Sequence, residues 1–193
     1  KTGSFHGLWA EYHYTNLQNI IIFDKEDIDY NKITFSMGNP LTAFGFLDTI
    51  KQKNEISVVQ NGANSAFGKM FIRLCKMNNI KNISVVRKKE NIDLLLNLGA
   101  YKVISTSDND WKDQLKNTTE ELNTKICFEC VGGNFTGDMI SCMPKKSIIY
   151  HFGNLELKRL ENMDTSDFIF NKKIMKGFWL MEWLSSKKEE EIN

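Results

Sequence analysis

The run Val58-Val59-Gln60-Asn61-Gly62-Ala63-Asn64-Ser65-Ala66-Phe67-Gly68 decides the fold. A β-branched segment passes through a turn of small residues into a stretch where Met70, Phe71, Leu74 and Met77 recur at helical spacing. Strand, tight turn and helix N-terminus in that order open a βαβ unit. Small residues let the backbone approach an anion, which the free N–H groups and the positive end of the helix dipole then stabilise. Aligned on Gly68, the glycine fingerprint of a pyrophosphate site reads Ala63-x-Ser65-x-x-Gly68, so two of its three glycines are replaced. By itself, a plain tight turn explains the same residues as well.

Outward from this run the same alternation continues. Asn39-Pro40 reads as an N-cap and first turn, followed by a helical stripe of Leu41, Phe44, Leu47 and Ile50. Strands are expected at residues 56–60, 83–86, 101–104, 126–131 and 147–152. Helices are expected between them, one over residues 92–98 ended by Gly99, one from Asp108 to Leu122 carrying Trp111 and Leu115, and a short one from Gly132-Gly133 to Met143. A sixth strand is expected over residues 174–183, after a polar stretch with Asp164, Asp167 and Lys172. Strands alternating with helices over short connections imply an α/β fold, a Rossmann-type doubly wound parallel sheet of about six strands.

The bulk properties agree with one such domain. The 193 residues are 41% apolar and 25% charged with only 2 Pro, which excludes disordered, collagen-like and disulfide-dense classes. With 25 basic and 24 acidic residues the net charge is +1, so no bulk field favours nucleic acid or anionic lipid, and a charged ligand must be held locally. The longest apolar run, Ile20-Ile21-Ile22-Phe23, is too short to span a bilayer, so no membrane insertion is expected. Cys75, Cys127, Cys130 and Cys142 read as reduced thiols inside a cell.

The end of the second strand carries the next signal. A ribose-reading side chain is expected about 20 residues beyond the glycine loop, and Arg87-Lys88-Lys89 stands there. An acid at this place accepts the 2′-hydroxyl of NAD, whereas a cation cluster suits the extra phosphate of NADP. Arg87 is one of only three arginines in a chain that otherwise uses Lys. A solvated basic loop is the alternative.

Together with Asn39-Pro40-Leu41-Thr42-Ala43, Val85-Val86-Arg87, Leu98-Gly99-Ala100, Cys130-Val131-Gly132-Gly133 and Gly177-Phe178-Trp179-Leu180, the loop of residues 60–68 occurs in one colinear order. In that order the chain resembles the cofactor domain of the zinc-independent medium-chain dehydrogenases/reductases, in the quinone oxidoreductase and mitochondrial 2-enoyl thioester reductase branch. The resemblance covers about residues 3–184. It implies that residues 1–24 are a β remnant of a GroES-like catalytic domain and residues 25–193 an NADP-binding Rossmann domain that is incomplete at its C-terminal side. Both ends read as cut, since the chain opens at Lys1 and Ser186-Lys187-Lys188-Glu189 has the spacing of a capping box that starts a helix.

The resemblance further implies NADPH as cofactor and hydride transfer to a 2-enoyl thioester, conjugated carbonyl or quinone. Thr42 would lie near the nicotinamide ribose and phosphate, and Asn64, Ser65, Ala66 and Gly68 would line the pyrophosphate turn. Arg87, assisted by Lys88, would hold the 2′-phosphate, and Cys130 and Val131 would sit beside the adenosine ribose. Phe152-Gly153 and Phe178-Trp179-Leu180 would flank the nicotinamide, and His151, where the branch more often has Gly, would crowd that pocket. None of Tyr12, Tyr14, Tyr30, Tyr101 or Tyr150 occupies the motif of the branch's catalytic tyrosine, so no catalytic residue is assigned. The branch also implies a small-molecule substrate, an intracellular location in the mitochondrial matrix or cytoplasm, and a homo- or heterodimer formed through the strand at residues 174–183. Burial of that strand under further chain is the alternative. The eroded glycines and His151 also fit a second class, a catalytically degenerate subunit with a structural role in a larger assembly.

Three other features read as structural. Cys127-Phe128-Glu129-Cys130 has metal-pair spacing, but a separation of three in a strand sends the thiols to opposite faces, so no metal is expected. His6, His13 and His151 are scattered and read as surface or satisfied histidines. The run Lys187-Lys188-Glu189-Glu190-Glu191 reads as a solvated helix start.

Overall fold

The structure, a computed structural model, describes residues 37–187 and, ahead of them, residues 10–17, 20, 22 and 29. The strand-like segments expected at residues 7–12 and 20–23 lie largely outside the described residues, as do His6 and the acidic run 188–191, and residues 10–16 form no strand.

In chain order the elements are α1 (Asn39–Gln52), β1 (Ser57–Gln60), α2 (Ala66–Met77), β2 (Lys81–Val86), α3 (Ile92–Leu98), β3 (Lys102–Ser105) and α4 (Trp111–Glu121). They are followed by β4 (Ile126–Glu129), α5 (Gly133–Ser141), β5 (Ile148–His151), α6 (Thr165–Ile169), β6 (Ile174–Gly177) and α7 (Leu180–Ser185). The six strands form one sheet in the order β3-β2-β1-β4-β5-β6, and every pairing is parallel. This is the doubly wound order in which the chain reverses direction between β1 and β4 and leaves a crevice at their C-terminal ends.

Helices cover both faces, which is why the central strands are apolar throughout instead of alternating with polar residues. On one face Val59, Val85, Ile104, Cys127 and Ile149 pack with Trp111 and Leu115 of α4 and Met139 and Ile140 of α5. On the other, Val58, Ile126, Phe128 and Tyr150 meet α1 and α2 through Phe46, Ile50, Phe71 and Cys75. Phe46 sits at the centre of that second core, stacked on Phe128 and edge-on to Phe67, Phe71, Phe152 and Phe178.

Several sequence expectations are corrected. Gly38, not Asn39, is the N-cap of α1, and the Thr42 hydroxyl donates back to the Gly38 carbonyl at 2.9 Å. Phe44 is 53% exposed, and Phe46 takes the core place assigned to it. α4 begins at Trp111 with Asp110 as N-cap, one turn-step later than Asp108 suggested. The polar stretch before β6 holds a short helix, α6, where Asp167 pairs with the buried Lys173 at 2.8 Å.

The largest correction lies at the C-terminal side. β6 stops at Gly177, and Trp183, expected in a strand, belongs to α7. The reason is a tertiary clasp: Trp183 Nε1 donates to Asp48 Oδ2 at 2.9 Å, and Lys187 Nζ pairs with the same oxygen at 2.7 Å. Ser186 is the C-cap of α7, its hydroxyl donating to the Trp183 carbonyl at 2.6 Å, and the helix expected to start there lies outside the described residues. The helix docks closely because Gly45 of α1 has no side chain; a Cβ there would lie 2.6 Å from the Phe178 ring.

Candidate functional site

The loop after β1 is built for close approach. Gly62 has φ +59°, and a Cβ on it would come within 2.9 Å of Cys130 Sγ. Gly68, one turn into α2, packs directly on the loop backbone, where a Cβ would meet the Ala63 carbonyl oxygen at 2.5 Å. Ser65 caps α2, its hydroxyl accepting from the Gly68 N–H at 3.0 Å. Gly68 is therefore the one fingerprint glycine that sterics demand, whereas Ala63 and Ser65 fit the turn as they stand.

This loop forms one wall of a cleft of about 650 Å³ at the C-terminal ends of β1, β2 and β4. Asn61 to Ser65, Val86, Arg87, Lys88, Val131, Thr106, Phe135, Leu155 and Glu156 line it, with Glu90 and Asn91 at the rim. The charges in and around it sort themselves. Lys88 pairs with Glu90 at 3.4 Å, Lys89 pairs with Asp108, and Lys158 pairs with Glu156 at 3.5 Å. Arg87 is exposed and makes no ion pair among the described residues, so its guanidinium is the cation left to face a ligand.

Under the cleft lies a carboxylate that sequence reading missed. Glu129, at the end of β4, is fully buried. Its Oε1 accepts from Asn61 Nδ2 at 2.9 Å and from the N–H groups of Val131 and Gly132 at 2.7 and 3.0 Å. Its Oε2 accepts from the Thr136 hydroxyl at 3.0 Å and faces His151 Nδ1 at 2.5 Å. A charge taken out of water requires this many donors. The available signal was a lone Glu inside the apolar run at residues 126–131. The segment after β5 closes the cleft, Leu155 and Glu156 donating their N–H groups to the carbonyls of Cys130 and Val131 at 2.9 Å each. Leu155 and Glu156 carried no motif that could have marked them.

Of the residues singled out from sequence, Asn64, Ser65, Arg87, Lys88 and Val131 share the cleft. Ala66 and Gly68 form the first turn of α2 behind it. Cys130 is buried against Asn61, its Sγ 3.3 Å from Asn61 Oδ1, and burial pushes its thiol up to about 12. Thr42, Phe152, Gly153, Phe178, Trp179 and Leu180 lie outside the cleft: Phe152 and Phe178 turn their rings onto Phe46, Gly153 packs on Cys130, and Trp179 is 67% exposed. His151 is held by Glu129 through Nδ1. Among the described residues no three His, Cys, Asp or Glu side chains are grouped to hold a metal ion, and no helix is long and apolar enough to cross a membrane.

A parallel sheet in this order, with a small-residue loop and a helix N-terminus over its central crevice, defines a Rossmann-type domain. Residues 66–192 match the family model described as zinc-binding dehydrogenase, and the chain belongs to that family, in the reductase branch of the medium-chain dehydrogenases/reductases.

The mitochondrial enoyl-[acyl-carrier-protein] reductase of Yarrowia lipolytica is 28% identical over 95% of this chain and 50% of its own length. That of Arabidopsis thaliana is 32% identical over 79% of this chain and 42% of its own. Among solved structures, a protein assigned as an NADPH:quinone reductase from Mesorhizobium loti superposes with a TM-score of 0.77 at 29% identity, over 85% of this chain and 48% of that one. The mitochondrial 2-enoyl thioester reductase heterodimer of Candida tropicalis gives 0.70 at 25%, over 84% and 47%. A further structure with the same TM-score and identity holds NADP and crotonyl-CoA. The chain spans about half the length of the curated relatives it matches.

Proposed function

We infer that the intact protein is an NADPH-dependent reductase that delivers hydride to the β-carbon of a 2-enoyl thioester, with a conjugated carbonyl or a quinone as the alternative acceptor. The observation that carries this reading is Arg87, without an ion pair among the described residues, facing the loop of residues 61–65 across one cleft. The residues fit the cofactor: Gly62 and Gly68 let the loop fold tightly onto Cys130 and the α2 N-terminus, where a Cβ would clash, and the cleft suits the adenosine half of a dinucleotide in size and charge.

In this reading the first turn of α2, with Asn64, Ser65, Ala66 and Gly68, takes the pyrophosphate. Arg87, assisted by Lys88, takes the 2′-phosphate through charge-assisted hydrogen bonds. Val131 and Cys130 back the adenosine ribose. The nicotinamide half runs on across β5 and β6, toward Thr42, Phe152, Gly153, Phe178, Trp179 and Leu180. NADPH supplies the hydride when bound, and the protein's part is to bind, orient and exclude water.

The names of the relatives support the thioester, a mitochondrial location and a dimer, and β6, which among the described residues pairs on one side only and leaves Ile174 half-exposed, supports the dimer edge. Residues 1–24 then belong to a GroES-like catalytic domain and residues 25–193 to the cofactor domain. The test is NADPH oxidation by the intact protein, followed at 340 nm, with crotonyl-CoA and with a benzoquinone. Turnover with crotonyl-CoA is expected. A protein that holds no nucleotide and oxidises no NADPH with either acceptor would contradict the reading and favour a non-catalytic subunit.

A further inference from the structure

The opposite end of the sheet carries a second pocket, of about 400 Å³, at the entry to β1, β4 and β5. Its apolar side is Ile126 and Ile148, register partners on β4 and β5. Three lysines reach it from three separate connections: Lys53 between α1 and β1, Lys125 between α4 and β4, and Lys146 between α5 and β5. Glu55, which faces Lys125, is the one acid in the lining, so cations are in excess. Lys125 Nζ is anchored on the Lys145 carbonyl at 2.9 Å. The side chains of Lys53 and Lys146 make no ion pair or hydrogen bond among the described residues.

Lys146 also stands in an unusual backbone conformation. Its φ is +65°, whereas the positive-φ residues at the two neighbouring connections are Asn54 and Asn123. Asn adopts this conformation at small cost and Lys does not. The strained backbone is pinned, the Lys146 N–H donating to the Asn171 carbonyl at 2.8 Å, and strain of this kind clusters at ligand clamps. The negative end of a helix accounts for Lys53, the C-cap of α1. It does not account for Lys125 and Lys146, which stand four and five residues beyond the last residues of α4 and α5.

We propose that this pocket binds a phosphate group, as a second anion site at the far end of the sheet from the dinucleotide cleft. Ammonium groups converging from three directions suit a tetrahedral anion of nearly two charges, and each acts on it as a point charge. The apolar side lowers the local dielectric and strengthens their combined field. A small phosphorylated molecule and a phospholipid headgroup present the same group, and the experiment separates them.

The test is lysine acetylation of the intact protein by an N-hydroxysuccinimide ester, read by peptide mass spectrometry at constant ionic strength. Inorganic pyrophosphate is expected to slow acetylation of Lys53 and Lys146 at least about fivefold relative to sodium chloride, and to leave exposed Lys116 on α4 unchanged. If the source is a lipid, vesicles of phosphatidylcholine with phosphatidic acid will protect the same lysines and sediment the protein, and vesicles of phosphatidylcholine alone will not. If it is a small molecule, pyrophosphate will protect and neither vesicle will. Protection by neither probe beyond that of chloride would overturn the proposal. Lys146→Asn suits the same backbone conformation and lacks the charge, so it should abolish the protection of Lys53 while the thermal midpoint holds or rises by about 1–3 °C. Protection of Lys53 that survives in Lys146→Asn, or a midpoint that falls by more than about 3 °C, would assign Lys146 a structural role and overturn the proposal too. NADPH binding is expected to be unchanged in this variant, so the reductase reading stands or falls separately.

Discussion

The side chain of Asn61 joins β1 to β4: Nδ2 donates to Glu129 Oε1 at 2.9 Å while Oδ1 accepts from the Cys130 N–H at 2.9 Å. The amide can sit only this way round, because the reverse would set oxygen against carboxylate and N–H against N–H. This bridge ties together the two strand ends between which the crevice opens. Asn61→Ala leaves a buried carboxylate short of one donor and a buried N–H without an acceptor, and is expected to cost about 3 kcal/mol. Asn64→Ala, at an exposed loop position, should stay within about 0.5 kcal/mol of wild type. Urea unfolding midpoints of the two variants check both figures.

Gly68→Ala places a methyl group 2.5 Å from the Ala63 carbonyl oxygen, which is backbone and cannot rotate aside. A loss of about 3 kcal/mol is expected from overpacking. The loop would shift with it, so nucleotide affinity should fall together with the thermal midpoint. Ser65→Gly removes the α2 cap hydroxyl and should cost only a few tenths of a kcal/mol.

Acid should loosen α7 through Asp48. Partial burial works to raise its carboxyl, but hydrogen bonds from Lys187, Trp183 and Gln52 outweigh it and hold the group below the ordinary 3.8. A carboxyl depressed in the folded state stabilises at pH above its unfolded value, and the contribution is lost as pH falls through the folded one. The clasp is therefore intact from neutral pH down to about 5 and weakens below about 4. The indole N–H signal of Trp183, followed by NMR from pH 6 to 3, should shift only in the acid range, and Asp48→Asn should abolish that titration.

Burial pushes the Cys75 and Cys130 thiols up to about 12, and Cys127 and Cys142 are raised by burial as well. Against a reference value of 9.0, a shift to about 12 lowers the thiolate fraction of Cys75 and Cys130 about a thousandfold. Maleimide added to the folded protein at pH 7.5 is expected to leave all four unlabelled over minutes, and all four should react once urea unfolds the chain.

The sheet was legible because its strands are continuous apolar runs closed by small or polar residues, and Gly99 and the 132–133 pair punctuate them. The place of Arg87 at the cleft was legible from spacing alone. Phe44 and Phe46 were not separable by periodicity, since both fall near one helical stripe and only the stacking on Phe128 selects Phe46. The end of β6 was hidden because the run at residues 177–183 is apolar in either conformation, and the contacts that make it helical come from Asp48 and Gly45, more than 120 residues away in sequence. His151 was visible as a ring at a small-residue position, whereas Glu129, a lone charge in an apolar strand, was passed over. That they answer one another required the register of β4 on β5.

Arg87 carries the cofactor assignment, and isothermal titration of the intact protein with NADPH and NADH measures its role. NADPH is expected to bind at least about tenfold tighter than NADH, and Arg87→Ala should remove that difference while leaving NADH affinity within about threefold. Equal affinities for the two nucleotides in the wild-type protein, or a preference that survives Arg87→Ala, would contradict it.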